Sequence, residues 1–349
     1  MVPATELKRT NPFTERERIT NPERFTGRWR ELSLLFERLE TYRPVLISGV
    51  AGIGKSSLLT HVAQSATTNL DAPDLRALYL DLQPIASAQA GYEHIIQGLR
   101  SRGNTLAAFE LALLQHEGPV LLCLDSAETA LAAGWGAEVL ESLARVARQT
   151  GQAHQTLGQA PYLLLVTAMR DPVPVLSEPF VTVSLGAITP TESRLLVDAY
   201  LDETGIQFSA DELHDLNALS AGHPAYLQRA AFHLFQARQQ PGYNWRAAYV
   251  QEARIRPIPG APLPPGVFEG AVVSPITSTY GELVSTPDVQ RSALLPLEGL
   301  GGVLRVLLLL VATVLMWQLS GNWLLSGIVL ISGIGLIVAL ERRRGPPPA

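Results

Sequence analysis

The stretch Val45-Leu46-Ile47-Ser48-Gly49-Val50-Ala51-Gly52-Ile53-Gly54-Lys55-Ser56-Ser57-Leu58-Leu59 decides the fold. Four apolar or small residues form a strand-like run, three glycines follow within six positions, and an apolar helical pattern begins at Lys55. The spacing from Gly49 to Gly54-Lys55-Ser56 fits G-x-x-x-x-G-K-[ST] without a mismatch. Glycines let successive backbone N–H groups turn inward, where side chains would obstruct an anion. The following helix adds the positive end of its dipole at the same place. Lys55 is expected to reach the β- and γ-phosphates of a nucleoside triphosphate, and the Ser56 hydroxyl to ligate magnesium. Gly49, Gly52, Gly54, Lys55, Ser56 and Ser57 are therefore the first candidate contacts.

The residues around this stretch alternate in the same way. Ala77–Asp81, Val120–Asp125, Tyr162–Thr167 and Val181–Leu185 are further strand candidates, with helical patterns at Leu32–Leu39, Gly91–Arg100 and Ala137–Arg148 between them. Continuous apolar strands separated by helices predict a parallel sheet covered on both faces. Val120–Asp125 ends in an acid, as expected of a carboxylate that holds the magnesium shell. The next residue is Ser126 and the next acid is Glu128, a candidate to polarise an attacking water or simply a solvated acid at a helix start. Arg170 follows the strand candidate ending at Thr167. Its planar guanidinium suits a γ-phosphate; alternatively it pairs with Asp171 at the surface.

From 188 the pattern changes to all helix. Thr189-Pro190-Thr191-Glu192 and Ser209-Ala210-Asp211-Glu212 both have capping-box spacing. A third helix is expected from Pro224 through Phe235. Prolines then recur from Pro257 to Pro296 among Gly, Ser and Thr, the composition of a linker.

The chain has 349 residues, a net charge of −5 and 47% hydrophobic residues. The charge balance argues against a nucleic-acid partner. Cys123, the single cysteine, forms no intrachain disulfide and reads as a small core residue. Nothing in the charged N-terminal residues resembles an export signal. Residues 300–319 carry one charge, Arg305, and residues 323–340 carry none, with Ser320-Gly321-Asn322 as a turn. Each run would span about 27–30 Å as a helix, the thickness of a bilayer core. A two-pass membrane hairpin is expected. Arg305 and Arg342-Arg343-Arg344 would place both chain ends and the folded domain in the cytoplasm, and Trp317 and Trp323 would flank the turn.

Phe25-Thr26-Gly27-Arg28, then Glu31-Leu32, then Gly-Val-Ala-Gly-Ile-Gly-Lys-Ser-Ser-Leu-Leu resembles the start of the STAND NTPases, a signal-transduction branch of the AAA-like P-loop proteins. The resemblance covers about residues 20–240. It implies that Phe25, Gly27 and Arg28 pack near the adenine, although Trp29 stands where relatives often have Glu. It implies roles for Asp125, Glu128 and Arg170 at the reaction centre. It also implies that Gly222-His223-Pro224 is the Gly-x-Pro motif of a helical lid, with His223 and Pro224 near the nucleotide.

The fold expected is α/β: a P-loop NTPase parallel sheet with helices on both faces, then a small all-helical lid, then a transmembrane helical hairpin. The expected boundaries are an extended leader (1–24), the core (25–187), the lid (188–256), a Pro-rich linker (257–298), the hairpin (299–341) and a basic tail (342–349). The function implied is a membrane-tethered switch that binds ATP and Mg2+, hydrolyses ATP and forms nucleotide-dependent homo-oligomers, with residues 300–340 in lipid. Two alternatives remain. One is a nucleotide-binding membrane scaffold without turnover, favoured by Ser126. The other is a prokaryotic defence effector acting through its hairpin, an expectation from family analogy.

Overall fold

The computed structural model describes residues 10–14, 16, 18–158, 162–171, 176 and 179–269. The core runs α1 (Trp29–Glu40), β1 (Val45–Ser48), α2 (Lys55–Asn69), β2 (Arg76–Asp81), α3 (Ala88–Gly98), α4 (Leu106–Leu114), β3 (Val120–Asp125), α5 (Ala127–Ala132), α6 (Gly136–Leu157), β4 (Leu163–Met169) and β5 (Val181–Ser184). The strands pair parallel throughout, in the order β2-β3-β4-β1-β5.

The continuous apolar strands follow from burial on both faces. Along β3, Val120, Leu122 and Leu124 join the core beneath α3, α4 and α6, while Leu121 and Cys123 join the opposite core beneath α1 and α2. β4 divides likewise, with Leu163, Leu165 and Met169 on one side and Leu164, Val166 and Ala168 on the other. Cys123 is fully buried. The sheet order puts β4 between β1 and β3. The loop after β1, the end of β3 and the end of β4 therefore meet at the carboxyl edge, where open α/β sheets bind ligands.

The second subdomain comprises α7 (Pro190–Leu201), α8 (Ala210–Ser220), α9 (Pro224–Gln239), α10 (Trp245–Ile255) and α11 (Pro265–Glu269). Both expected capping boxes are present, at Thr189/Glu192 and Ser209/Glu212. Glu192 has a second task. Its Oε2 accepts from the Thr189 N–H at 2.8 Å, while its Oε1 accepts from the Arg28 N–H at 2.7 Å, so the cap of α7 is also a tie to the core.

Two expected boundaries need correction. The leader expected over 1–24 is, in its described part, a strap held to both subdomains. Phe13 is 1% exposed and packs in the lid core, its ring 5.2 Å from Tyr200 and near Phe208 and Phe235. Asn11 Nδ2 donates to the Phe232 carbonyl at 3.0 Å, and Arg16 pairs with Glu252. The Asn-Pro pairs do interrupt regular helix, leaving short 3-10 turns at Pro12–Thr14 and Pro22–Arg24. What the local pattern did not reveal was a buried anchor for Phe13.

The linker expected from 257 begins later. Ile258, Ala261 and Leu263 pack on the lid core, Val267 is fully buried, and α11 closes against α8. Proline prevents regular helix here but not packing. The remainder of the linker, the hairpin and the basic tail lie outside the described residues. Among the described residues no helix is long and apolar enough to cross a membrane.

Removing the Phe13 side chain leaves a cavity between the strap and α7–α9. Phe13→Ala is expected to lower unfolding stability by about 3–5 kcal/mol, the usual cost for a buried Phe, as read by urea unfolding.

Candidate nucleotide-binding site

The loop from Gly49 to Gly54 leaves β1 and enters α2 at Lys55. Gly52 has φ +72° and Gly54 φ +102°, in the left-handed region that side chains disfavour. At Gly52 space forbids a side chain as well. A Cβ there would stand 2.9 Å from His223 Cε1 and 3.0 Å from Ala225 Cβ, both from the lid. Lys55 Nζ donates to the carbonyls of Gly49 at 2.7 Å and Val50 at 3.0 Å, which braces the loop. Burial pulls the Lys55 pKa down, against the opposing charges of Glu128 and Asp125.

A pocket of 240 Å³ opens over this loop. Its floor is Gly52 to Ser57. Its walls are Phe25, Thr26 and Arg28 from the segment before α1, with Ile188, Leu196, Pro224, Ala225 and Gln228 from the lid. Arg16, Arg18 and Ile19 of the strap complete it. Phe25 stacks on His61 of α2 at 4.3 Å. Arg28 lies in this wall, but its guanidinium is committed to protein groups. Nη2 donates to the carbonyls of Ile53 at 3.0 Å and Gly186 at 2.7 Å, and Nη1 pairs with Glu31 at 2.9 Å. Its chemistry is to hold the loop's Ile53 in place. The acid it uses is Glu31, while Trp29 is 61% exposed. Gly27, at φ +78°, makes the turn that presents Arg28. A Cβ there would come 3.0 Å from Glu192 Cγ.

Asp125 is 4% exposed at the end of β3. Both its oxygens carry a donor: the Ser126 N–H to Oδ1 at 2.9 Å and the Tyr79 hydroxyl to Oδ2 at 2.5 Å. Burial pushes the Tyr79 phenol well up, the bond to Asp125 adds to that, and a hydrogen bond with Arg18 and its charge oppose it. Tyr79 is therefore the proton donor. Arg170 pairs with Glu128 at 3.0 Å rather than with Asp171. Its own carbonyl accepts from Gly49 N–H at 3.1 Å, which ties β4 to the loop. Asp125, Glu128 and Arg170 all act on the Lys55 charge, so they gather at its side while the pocket opens above.

His223 N-caps α9, and Pro224 takes the first helical position. His223 Nε2 lies 2.9 Å from the Ala51 carbonyl. A carbonyl only accepts, so Nε2 carries the proton and Nδ1 is the bare nitrogen. Nδ1 is buried with no partner among the described residues. Burial accordingly pulls the His223 pKa down, the Ala51 bond working against that shift. The segment after α10 also reaches the loop. Ala51 N–H donates to the Gly260 carbonyl at 3.4 Å, and Ile258 Cδ1 lies 3.5 Å from the Cβ position of Gly52.

The sequence motifs omitted Arg18, Ile19, Tyr79 and Ile258–Gly260. Ile19 N–H donates to Ser57 Oγ at 3.0 Å. No local pattern marks these residues: the strap reads as scattered charges and Tyr79 as one more strand residue.

The residues fit a nucleotide and a magnesium ion. The loop glycines adopt the backbone turn the motif requires. Nothing lies within 4 Å of the Cβ position of Gly54, so the mouth of the loop is open. Of the oxygen donors suited to magnesium, Ser56 lines the pocket, and the Asp125 carboxylate is close enough to act on the Lys55 charge.

Residues 24–176 match the family model described as an AAA ATPase domain. No curated protein matches the chain. Among solved structures, a Walker-type ATPase of Pyrococcus abyssi is similar with a TM-score of 0.52 at 15% identity, over 70% of this chain and 76% of its own. The Orc1 protein of Aeropyrum pernix, solved in complex with DNA, gives a TM-score of 0.50 at 16% identity, over 66% of this chain and 65% of its own. At such identities the likeness is one of fold.

Gly52→Ala adds both a left-handed strain and a clash with the lid. A stability loss of about 1–3 kcal/mol is expected by chemical unfolding. His223 gives a pH signature. Its folded pKa is depressed, so its contribution is full above the unfolded value of about 6.5 and is lost as pH falls through the lower folded value. His61 and His233 are also depressed by burial. His223→Asn should therefore make the acid-side fall in melting temperature shallower without removing it. The parallel sheet, the phosphate loop and the matched residues agree: residues 24–176 are similar to an AAA ATPase domain, on an α/β fold consistent with that of the P-loop NTPases.

Proposed function

We propose that this chain is a nucleotide-dependent switch of the STAND type, binding ATP with Mg2+ between the AAA ATPase domain and the helical lid. The observation that carries the reading is the contact of the lid with the loop itself. His223 bonds to the Ala51 carbonyl and Ala225 abuts Gly52. A ligand seated on this loop would act directly on how the lid sits. Lys55 and the loop N–H groups would hold the phosphates, and Ser56 and Asp125 the magnesium shell. Magnesium, when bound, neutralises phosphate charge. Phe25, Pro224 and Ala225 would enclose the base.

Hydrolysis is part of the proposal with Glu128 as the acid and Arg170 as the γ-phosphate contact. A second reading, binding without turnover, has its own support: Ser126 follows Asp125, and Glu128 and Arg170 are paired with each other. Self-association that depends on nucleotide, and a two-pass membrane anchor at residues 300–340 with the ATPase domain in the cytoplasm, complete the proposal. They rest on the family resemblance and on the hydropathy of residues outside the described part. A defence role through that hairpin has analogy alone behind it.

The test is the bound-nucleotide content and ATPase rate of the purified protein. Lys55→Ala is expected to abolish ATP binding. Asp125→Asn is expected to keep binding and to lose magnesium-dependent turnover by about a hundredfold or more. Stoichiometric ATP retention with no turnover in the parent protein would select the scaffold reading.

A further inference from the structure

The N-terminal strap brings a cation into the pocket that none of the phosphate-loop residues supplies. Arg18 sits between two fixed stretches of this strap. Before it, Phe13 is buried in the lid core and Arg16 pairs with Glu252 of α10. After it, Ile19 N–H donates to Ser57 Oγ at 3.0 Å, and Gln64 Nε2 donates to the Thr20 carbonyl at 2.8 Å, both onto α2. With its flanks held, the Arg18 guanidinium lies 4.4 Å over the ring of Tyr79. It lines the same pocket as Gly54, Lys55 and Ser56.

Arg18 and Arg28 differ in what their guanidinium groups are free to do. Arg28 is 5% exposed and engages Glu31 and two carbonyls. Arg18 is exposed, and among the described residues no carboxylate pairs with it. Arg18 also hydrogen-bonds with Tyr79; the ring and this one bond orient the guanidinium, and a group with five N–H donors keeps others for a ligand. Its nearest fixed neighbour, Tyr79, donates to Asp125. That places the Arg18 charge on the side of the pocket where the metal carboxylate stands. A triphosphate carries more negative charge than Lys55 and one magnesium ion offset, and a forked, permanently charged donor is the natural complement.

We propose that Arg18 is a further nucleotide-binding residue, contacting the polyphosphate of the bound nucleotide from the N-terminal strap. This rests on the reading of the pocket as a nucleotide site. Because Phe13 holds the same strap to the lid, the contact also joins phosphate binding to lid position. A plain structural alternative exists, in which Arg18 only steadies Tyr79 on Asp125.

Calorimetric binding of ATP, ADP and adenosine to the full chain separates the two, with and without EDTA. The proteins compared are the parent, Arg18→Ala and Arg18→Lys. Arg18→Ala is expected to weaken ATP and ADP by about tenfold, the worth of one charge-assisted contact, and to leave adenosine unchanged. The loss should persist in EDTA, where an effect through Tyr79 and Asp125 on magnesium is removed, and Arg18→Lys should recover part of it. Equal ATP affinity in the parent and Arg18→Ala would overturn the assignment. So would a loss shared with adenosine, or a loss that disappears in EDTA. A parent protein that binds none of the three would overturn the nucleotide reading itself. An Arg18→Ala protein that binds adenosine normally is folded at the site, whatever its ATP affinity.

Discussion

His223 and Ala225 approach Gly52 so closely that a single methyl group there would stand 2.9 Å from the imidazole. That approach joins the two subdomains at the phosphate loop. The imidazole N–H meets the Ala51 carbonyl, and the segment after α10 adds Gly260 to the Ala51 N–H. The loop is thus held from above by the lid, from within by Lys55, and from beneath by Arg28 through the Ile53 carbonyl. Each contact uses backbone atoms of the loop, so each depends on its backbone conformation. A shift of the loop would be felt at all three.

The chain returns to this loop from both ends of the described fold. The strap before α1 runs from the lid core, past Tyr79, to α2. The segment after α10 crosses back to Ala51 and Gly52. Glu192 adds a third link, capping α7 while receiving the Arg28 N–H. Its carboxyl is held below the usual range because the hydrogen bonds from Thr189 and Arg28 outweigh the cost of burial. Among the described residues lid and core meet through short polar contacts around a pocket, while their buried apolar clusters stay separate. Such contacts can be rearranged by a charged ligand more readily than a packed core can.

Asp125, Glu128 and Arg170 illustrate how far side-chain identity goes. Their positions near Lys55 follow from strand order: β4 lies between β1 and β3, so the strand-end acid and the strand-end Arg must flank the loop. Their partners do not follow. Tyr79 and the Ser126 N–H clamp Asp125, and Glu128 takes Arg170. Tyr79 reaches Asp125 because β2 and β3 pair in register, with Tyr79 opposite Cys123 and two residues short of the acid. A pairing one residue out of step would turn that hydroxyl to the other face.

The local sequence determined the parallel sheet, the phosphate loop, the two capping boxes and the helix starting at Pro224. Each rests on neighbours in the chain: apolar runs buried on both faces, glycines where φ must be positive, and Ser or Thr three residues before Glu. Only the tertiary structure decided that Phe13 anchors a strap, that Arg18 enters the pocket, that Glu31 answers Arg28, and that Ile258 and Gly260 close over the loop. These depend on residues brought together from as far apart as Asn11 and Phe232. No periodicity encodes such a meeting. It depends on where the two cores place the polar groups and apolar gaps that these segments meet.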